Sequence, residues 1–176
     1  GNLSEREEII YGIKRETFYF KGTVVYAHYF EIISDPLLSL DGRVTLGTID
    51  SAALDDIPAD ERFYAGGSGT VRGYSYQTVG PLRRNDPVGG RSLASVSFEL
   101  SLEVIDSMGI AVFLDGGSAF EETFPDFNRD ILWGSGVGLR DFSPTGPIGV
   151  DLATPLDRRQ GIDSEYYVYV SAGSVF

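Results

Sequence analysis

The chain has 176 residues, a formal net charge of −12 and no cysteine. With Lys14 and Lys21 its only lysines, it lacks the basic face a nucleic-acid binder needs to neutralise phosphates. The missing thiols exclude disulfides and cysteine metal centres. Mean hydropathy is −0.05, a value that fits a soluble domain and fits equally well strands that average a polar and an apolar face. No apolar run is long enough for a transmembrane helix. Residues 1–17 (GNLSEREEIIYGIKRET) are too polar and charged for a secretory signal. The expectation is that a signal has been removed or that the chain is part of something longer.

Period-2 alternation dominates, with no heptads and no long helical periodicity. Residues 1–17 read as strand or loop. Phe18 to Ile33 is an aromatic-rich strand ended by Asp35-Pro36, and Gly42 to Asp50 is another. Residues 51–91 are too long and glycine-rich for a hairpin, which marks a functional or disordered loop. In Ser92 to Val104, Ala94, Val96, Phe98, Leu100, Leu102 and Val104 share one face, and Ser95, Ser97, Glu99, Ser101 and Glu103 share the other. Asp106, Ser107 and Gly109 supply a turn. In Gly109 to Phe120, Ile110, Val112 and Leu114 oppose Ala111, Phe113, Asp115 and Gly117. In Ile131 to Phe142, Trp133, Val137 and Leu139 oppose Gly134, Gly136, Gly138 and Arg140. After a turn at Ser143 to Pro147, Ile148, Val150 and Leu152 oppose Gly149, Asp151 and Ala153. Glu165 to Phe176 is the last strand. The count is six or seven strands of about ten residues or more, the length a tilted transmembrane strand needs.

Phe63 to Pro81 (FYAGGSGTVRGYSYQTVGP) carries one arginine, Arg72, between Val71 and Gly73. Parity puts Glu99, Asp115 and Asp151 on the faces opposite the apolar residues. They are either solvated charges or partners for an arginine that folds back onto the sheet, since a buried guanidinium needs carboxylates. Gly134, Gly136 and Gly138 on one face mean a sharply coiled strand or room for an inserted loop. His28, the only histidine, sits in an aromatic strand as a packed or interfacial residue. There is no G-x-S-x-G elbow, no P-loop and no G-x-G-x-x-G. Asp55-Asp56 and Asp60-Glu61 lack calcium-loop spacing. The chain ends in alternating Tyr166 to Phe176, whose last aromatic fits ordinary core or an interfacial girdle.

From Gly42 to Phe176 these motifs resemble the carboxyl-terminal part of the BamA/TamA superfamily of outer-membrane barrels, the bacterial surface antigen family, and look closest to the TamA branch. The resemblance rests on RFYAGGSGTVRGY (Arg62–Tyr74), VGP (Val79–Pro81), GGRSLASVSFEL (Gly89–Leu100), VFLDGGSAF (Val112–Phe120), GSGVGLRDFSPTGPIGVDLATPL (Gly134–Leu156) and the terminal strand. Residues 1–41 match only as a generic barrel strand. The resemblance implies an all-β antiparallel meander, about the last six or seven strands of a sixteen-stranded transmembrane barrel preceded by POTRA domains. It implies that Val71, Arg72, Gly73 and Tyr74 form the tip of a lumen-entering loop within 51–91, anchored on Glu99 and Asp115. Gly134, Gly136, Gly138 and Arg140 would be the lumen strand motif within the best-matched strands, 92–176. Tyr169, Gly173 and Phe176 would be the terminal β-signal.

The implied role is a non-enzymatic, cofactor-free assembly or translocation factor in the bacterial outer membrane. Its partners would be the lipid bilayer, client outer-membrane or autotransporter proteins and a TamB-type periplasmic protein. An open sheet cannot leave its edges unpaired in lipid, so a segment by itself could pair with another copy or close as a small barrel. Two rivals are a two-partner secretion transporter or the barrel of a patatin-like phospholipase, and a soluble β-sandwich or lipocalin-like binding module.

Overall fold

The computed structural model describes residues 6–14, 17–51, 53–105, 107–129, 131–141 and 148–172. In chain order, the strands are β1 (Arg6–Lys14), β2 (Thr17–Ser34) and β3 (Leu37–Asp50). A two-residue-per-strand hairpin follows, β4 (Leu82–Arg83) and β5 (Asp86–Pro87). Then come β6 (Ser92–Ile105), β7 (Met108–Phe120), β8 (Leu132–Asp141), β9 (Ile148–Pro155) and β10 (Tyr167–Ala172). All but the hairpin join one sheet in the order β1-β2-β3-β6-β7-β8-β9-β10, each antiparallel to the next. The long connections 51–91, 121–131 and 156–166 leave from one end of the sheet, and the connections β2–β3, β6–β7 and β8–β9 from the other.

The faces of this sheet are inverted relative to a water-soluble protein. One register row, Phe30–Leu40–Leu100–Val112–Val137–Leu152–Val168, crosses seven strands. Every member is exposed, Val112 at 51% and Val168 at 67%. One residue along, the row Asp41–Glu99–Phe113–Gly136–Ala153–Tyr167 points the other way. Glu99 on that row is 1% exposed, and Asp115, Arg140 and Asp151 on the same face are buried too. Period 2 sends alternate residues to opposite faces, so the sequence pattern produces this inversion directly. Apolar surface turned outward across seven strands is stable in hydrocarbon, where the strand backbones bond only to each other.

The segment 51–91 lies on the polar face. It has short 3-10 turns at Leu54–Asp56 and Ala59–Glu61 and the β4–β5 hairpin. Arg84 and Asn85 both have positive φ at the hairpin tip, as a two-residue type I′ turn requires. Ile57, Phe63, Ala65, Val71, Tyr74 and Val79 of this segment form a small core with Tyr19, Ile49 and Leu93 of the strands. The Phe63 ring occupies the space a side chain at Gly47 would need. Backbone bonds between Phe63 and Gly90, 2.8 and 2.9 Å, close the segment's two ends on each other.

The all-β meander expected from the sequence is the observed fold. The sheet has one strand more than the expected six or seven, because β1 is a strand, which the mixed composition of residues 1–17 left undecided. β3 starts at Leu37 rather than Gly42, since Leu37 to Asp41 continue the pairing with β2. β9 has eight residues and β10 six among the described residues, shorter than expected. The segment 51–91 is a packed plug and not a disordered loop. Asp106 and the turn at Ser143 to Pro147 lie outside the described residues, as do Gly173 and Phe176.

Lipid facing makes a quantitative prediction. Val112→Arg, in the middle of the outward row, should destabilise the intact protein in lipid vesicles by about 2–4 kcal/mol, read by denaturant unfolding. In a water-soluble barrel the same change at a half-exposed position would be close to neutral.

Candidate functional site

The site is built around Arg72, which the plug delivers to the polar face of the sheet. Arg72 is 5% exposed. Its Nε and Nη2 donate to the two oxygens of Asp115 on β7, at 2.7 and 3.0 Å. Its Nη1 donates to Glu99 Oε2 on β6 at 2.8 Å and to Asp151 Oδ2 on β9 at 3.2 Å. Nη2 also reaches Ser97 Oγ at 3.4 Å. All five guanidinium N–H groups thus have an acceptor, which only this fork-shaped side chain can arrange. The Arg72 backbone N–H adds a bond to Asp115 Oδ2 at 3.0 Å. The guanidinium lies 3.5 Å from the centre of the Phe113 ring, a cation–π contact away from water.

A second buried cation shares these carboxylates. Arg140 on β8 donates from Nε and Nη2 to both oxygens of Glu99, each at 2.7 Å, and from Nη1 to Asp151 Oδ1 at 2.6 Å. Two guanidiniums therefore face three carboxylates. The remaining negative charge is met by neutral donors: the Ser97 hydroxyl and the Arg72 N–H to Asp115, and the Ser101 hydroxyl to Glu99. Burial alone would lower the Arg72 pKa. The hydrogen bonds and charge of Asp115, then those of Glu99, outweigh it and hold the pKa above its ordinary value. Arg72 stays cationic throughout the physiological range.

The residues beside Arg72 reach the other strands. Val71 is fully buried in the plug core. Gly73 has φ +96°, and a Cβ there would meet the Thr154 carbonyl at 2.7 Å, so glycine serves both the left-handed turn and the close approach to β9. The Tyr74 hydroxyl donates to the Trp133 carbonyl at 2.8 Å, and Arg159 lies 5.6 Å from its ring centre. Burial, first among several causes, pushes the Tyr74 phenol up to about 12. The Gly73 N–H and Tyr74 C=O both bond to the Tyr169 hydroxyl on β10. Four consecutive residues thus touch β6, β7, β8, β9 and β10.

The glycine face of β8 gives room for this contact. A Cβ at Gly134 would fall on the Arg72 carbonyl oxygen, and one at Gly138 on the Arg140–Asp151 pair. At Gly136 it would meet the Phe113 ring that carries the Arg72 guanidinium. The structure thus brings together Arg72, Glu99, Asp115, Asp151, Gly134, Gly136, Gly138, Arg140 and Tyr169. His28 stands apart, on the outward face between Tyr26 and Phe30. Sequence reasoning did not anticipate Arg140 as a second cation, Phe113 as the Arg72 platform, or Tyr167. Their parity with the carboxylates was the available signal. No group of three metal-ligating side chains occurs among the described residues.

A family model for the Omp85 superfamily domain matches residues 6–176. The chain belongs to the Omp85 superfamily. It is 30% identical over 155 residues to the outer membrane protein assembly factor BamA of Nitratidesulfovibrio vulgaris, covering 85% of this chain and 19% of that protein. It is 25% identical over 175 residues to the protein of the same name from Neisseria meningitidis, covering 80% of this chain and 22% of that one. The chain spans about a fifth of the length of these curated relatives. It shares its fold with the crystal structure of BamA from Haemophilus ducreyi lacking POTRA domains 1–3, with a TM-score of 0.71 at 20% identity, over 88% of this chain and 35% of that one.

Two predictions follow from the geometry of this Omp85 site. Arg72→Ala leaves buried carboxylates short of a partner and should destabilise the intact protein in vesicles by about 3–5 kcal/mol. Arg72→Lys, a point charge with three donors, should recover only part of that in the same denaturant titration. Gly134→Ala should displace the Arg72 carbonyl and raise protease sensitivity in residues 66–76. Gly69→Ala, where a Cβ meets nothing within 4 Å, should leave it unchanged.

Proposed function

We propose that the intact protein inserts or translocates outer-membrane β-proteins, and that this segment is the terminal part of its barrel. The chain is an outer-membrane segment, with its apolar face turned to lipid. The observation that carries the reading is the Arg72 plug: a loop tip held by a buried ion cluster in a family whose named relatives are outer-membrane assembly factors. In this reading Val71 to Tyr74 anchor the loop on Glu99 and Asp115. The glycine strand with Arg140 receives it, and the last strand, with Tyr169, Gly173 and Phe176 as its signal, is the working edge. In this reading the role is conformational and non-enzymatic, with the five charged groups of the cluster engaged in ion pairs with one another.

A narrower form of the proposal is the TamA-like one, with autotransporter clients and a TamB-type partner. It rests on the motif resemblance, whereas the relatives named above favour a general assembly role. Depleting the intact protein in its own bacterium and complementing with wild type or Arg72→Ala tests both. Wild type should restore outer-membrane barrel proteins, and the variant should not. Loss confined to autotransporters would select the narrower form. Loss of a single secreted protein would instead select a two-partner secretion transporter, and full complementation by Arg72→Ala would remove the anchor role.

A further inference from the structure

β10 is the last strand of the sheet, and among the described residues it is bonded to β9 alone, over six register pairs. Its outward side chains, Val168 and Val170, are exposed. Its inward side chains, Tyr167 and Tyr169, stack with ring centroids 6.4 Å apart, and both hydroxyls are used on the plug. The Tyr169 hydroxyl accepts from the Gly73 N–H at 3.1 Å and donates to the Tyr74 carbonyl at 2.8 Å. The Tyr167 hydroxyl accepts from the Ser75 hydroxyl at 3.2 Å and from the Ser164 N–H at 2.9 Å. Gly73, Tyr74 and Ser75 directly follow Arg72. One short turn is therefore clamped by the guanidinium to β6, β7 and β9, and by two phenols to β10, Tyr169 on its backbone and Tyr167 on the Ser75 hydroxyl.

Two backbone groups of that turn depend on Tyr169. If β10 leaves, the Gly73 N–H and the Tyr74 carbonyl, both on buried residues, lose this partner, an unfavourable change. If the turn leaves, β10 loses both tyrosine anchors and keeps, among the described residues, its six-pair ladder to β9. We infer that Tyr169 is a positioning residue that couples the arginine plug to the terminal strand, so that release of either favours release of the other. Linkage makes this effect reciprocal and equal in both directions. Combined with the reading above that the last strand is the working edge, a client that engages β10 and draws it from the plug loosens the plug. The coupling itself does not depend on that reading.

Hydrogen–deuterium exchange of the intact protein in lipid nanodiscs tests it, with peptides covering 66–78, 167–172 and, as a control for an intact sheet, β2–β3. Tyr169→Phe removes the hydroxyl and keeps the ring. It should speed exchange about fivefold to tenfold in both the plug and β10, with the control unchanged. Arg72→Lys, which alters no direct contact to β10, should also speed exchange in β10. A Tyr169→Phe effect confined to β10, or an Arg72→Lys effect confined to the plug, would overturn the inference. If Tyr169→Phe does not reach the folded state, the Arg72→Lys comparison decides alone, and an unchanged β10 would overturn the inference. Client assembly by the same variants is scored separately. Coupled exchange with normal assembly retains the coupling and rejects the client-receiving edge, whereas impaired assembly with uncoupled exchange does the reverse.

Discussion

A guanidinium buried on the polar face of this sheet must find an acceptor for each of its five N–H groups, and most of the architecture meets that demand. The acceptors come from β6, β7 and β9, so the strands must lie in the observed order and register for Arg72 to be satisfied. A shift of one residue in any of them would send its carboxylate to the lipid side, because strand side chains alternate. The constraint runs both ways. Without the arginine, Glu99 and Asp151 would share Arg140 and Asp115 would lose its buried cation, in a setting where unpaired charge is costly.

The cluster also explains features that look unrelated along the chain. β8 is glycine-rich on one face because the Arg72 carbonyl, the Phe113 ring and the Arg140–Asp151 pair occupy the space where side chains would stand. Gly73 lets the backbone turn against β9 and present Tyr74 to β8 and its own neighbours to β10. The plug's small apolar core at the loop end of the sheet carries the segment inward. The directed contacts then set where its tip stops. Burial places the loop, and hydrogen bonds define its register.

Much of this was legible in the sequence because β-structure writes its faces into alternate positions. Parity alone put Glu99, Asp115 and Asp151 opposite the apolar residues, and the same parity held the signal for Arg140, Phe113 and Tyr167. What parity lacks is register across strands. Nothing along the chain says that Asp41 stands beside Glu99, or that Gly138 stands beside Asp151, so the sharing of carboxylates by Arg140 and the bonds of Tyr169 to the plug were not readable, although both residues were site candidates. β1 was undecided because its residues mix charge and apolar character without clean alternation. The order of the segment 51–91 was also illegible. Its glycines suggest mobility by composition, yet several of them mark close approaches to strands or to other parts of the plug.

The inverted faces and the ion cluster together define an element that holds its shape through polar contacts inside and lipid outside. The ladders from β2 to β9 pair strand to strand, whereas β10 is also held by the plug through Tyr167 and Tyr169. The central claim is that Arg72 and the strand carboxylates act as one unit. A double-mutant cycle between Arg72→Ala and Asp115→Asn, read by denaturant unfolding of the intact protein in vesicles, tests it most directly. A coupling energy of about 2 kcal/mol or more is the predicted result, and additive single-variant losses would contradict the account.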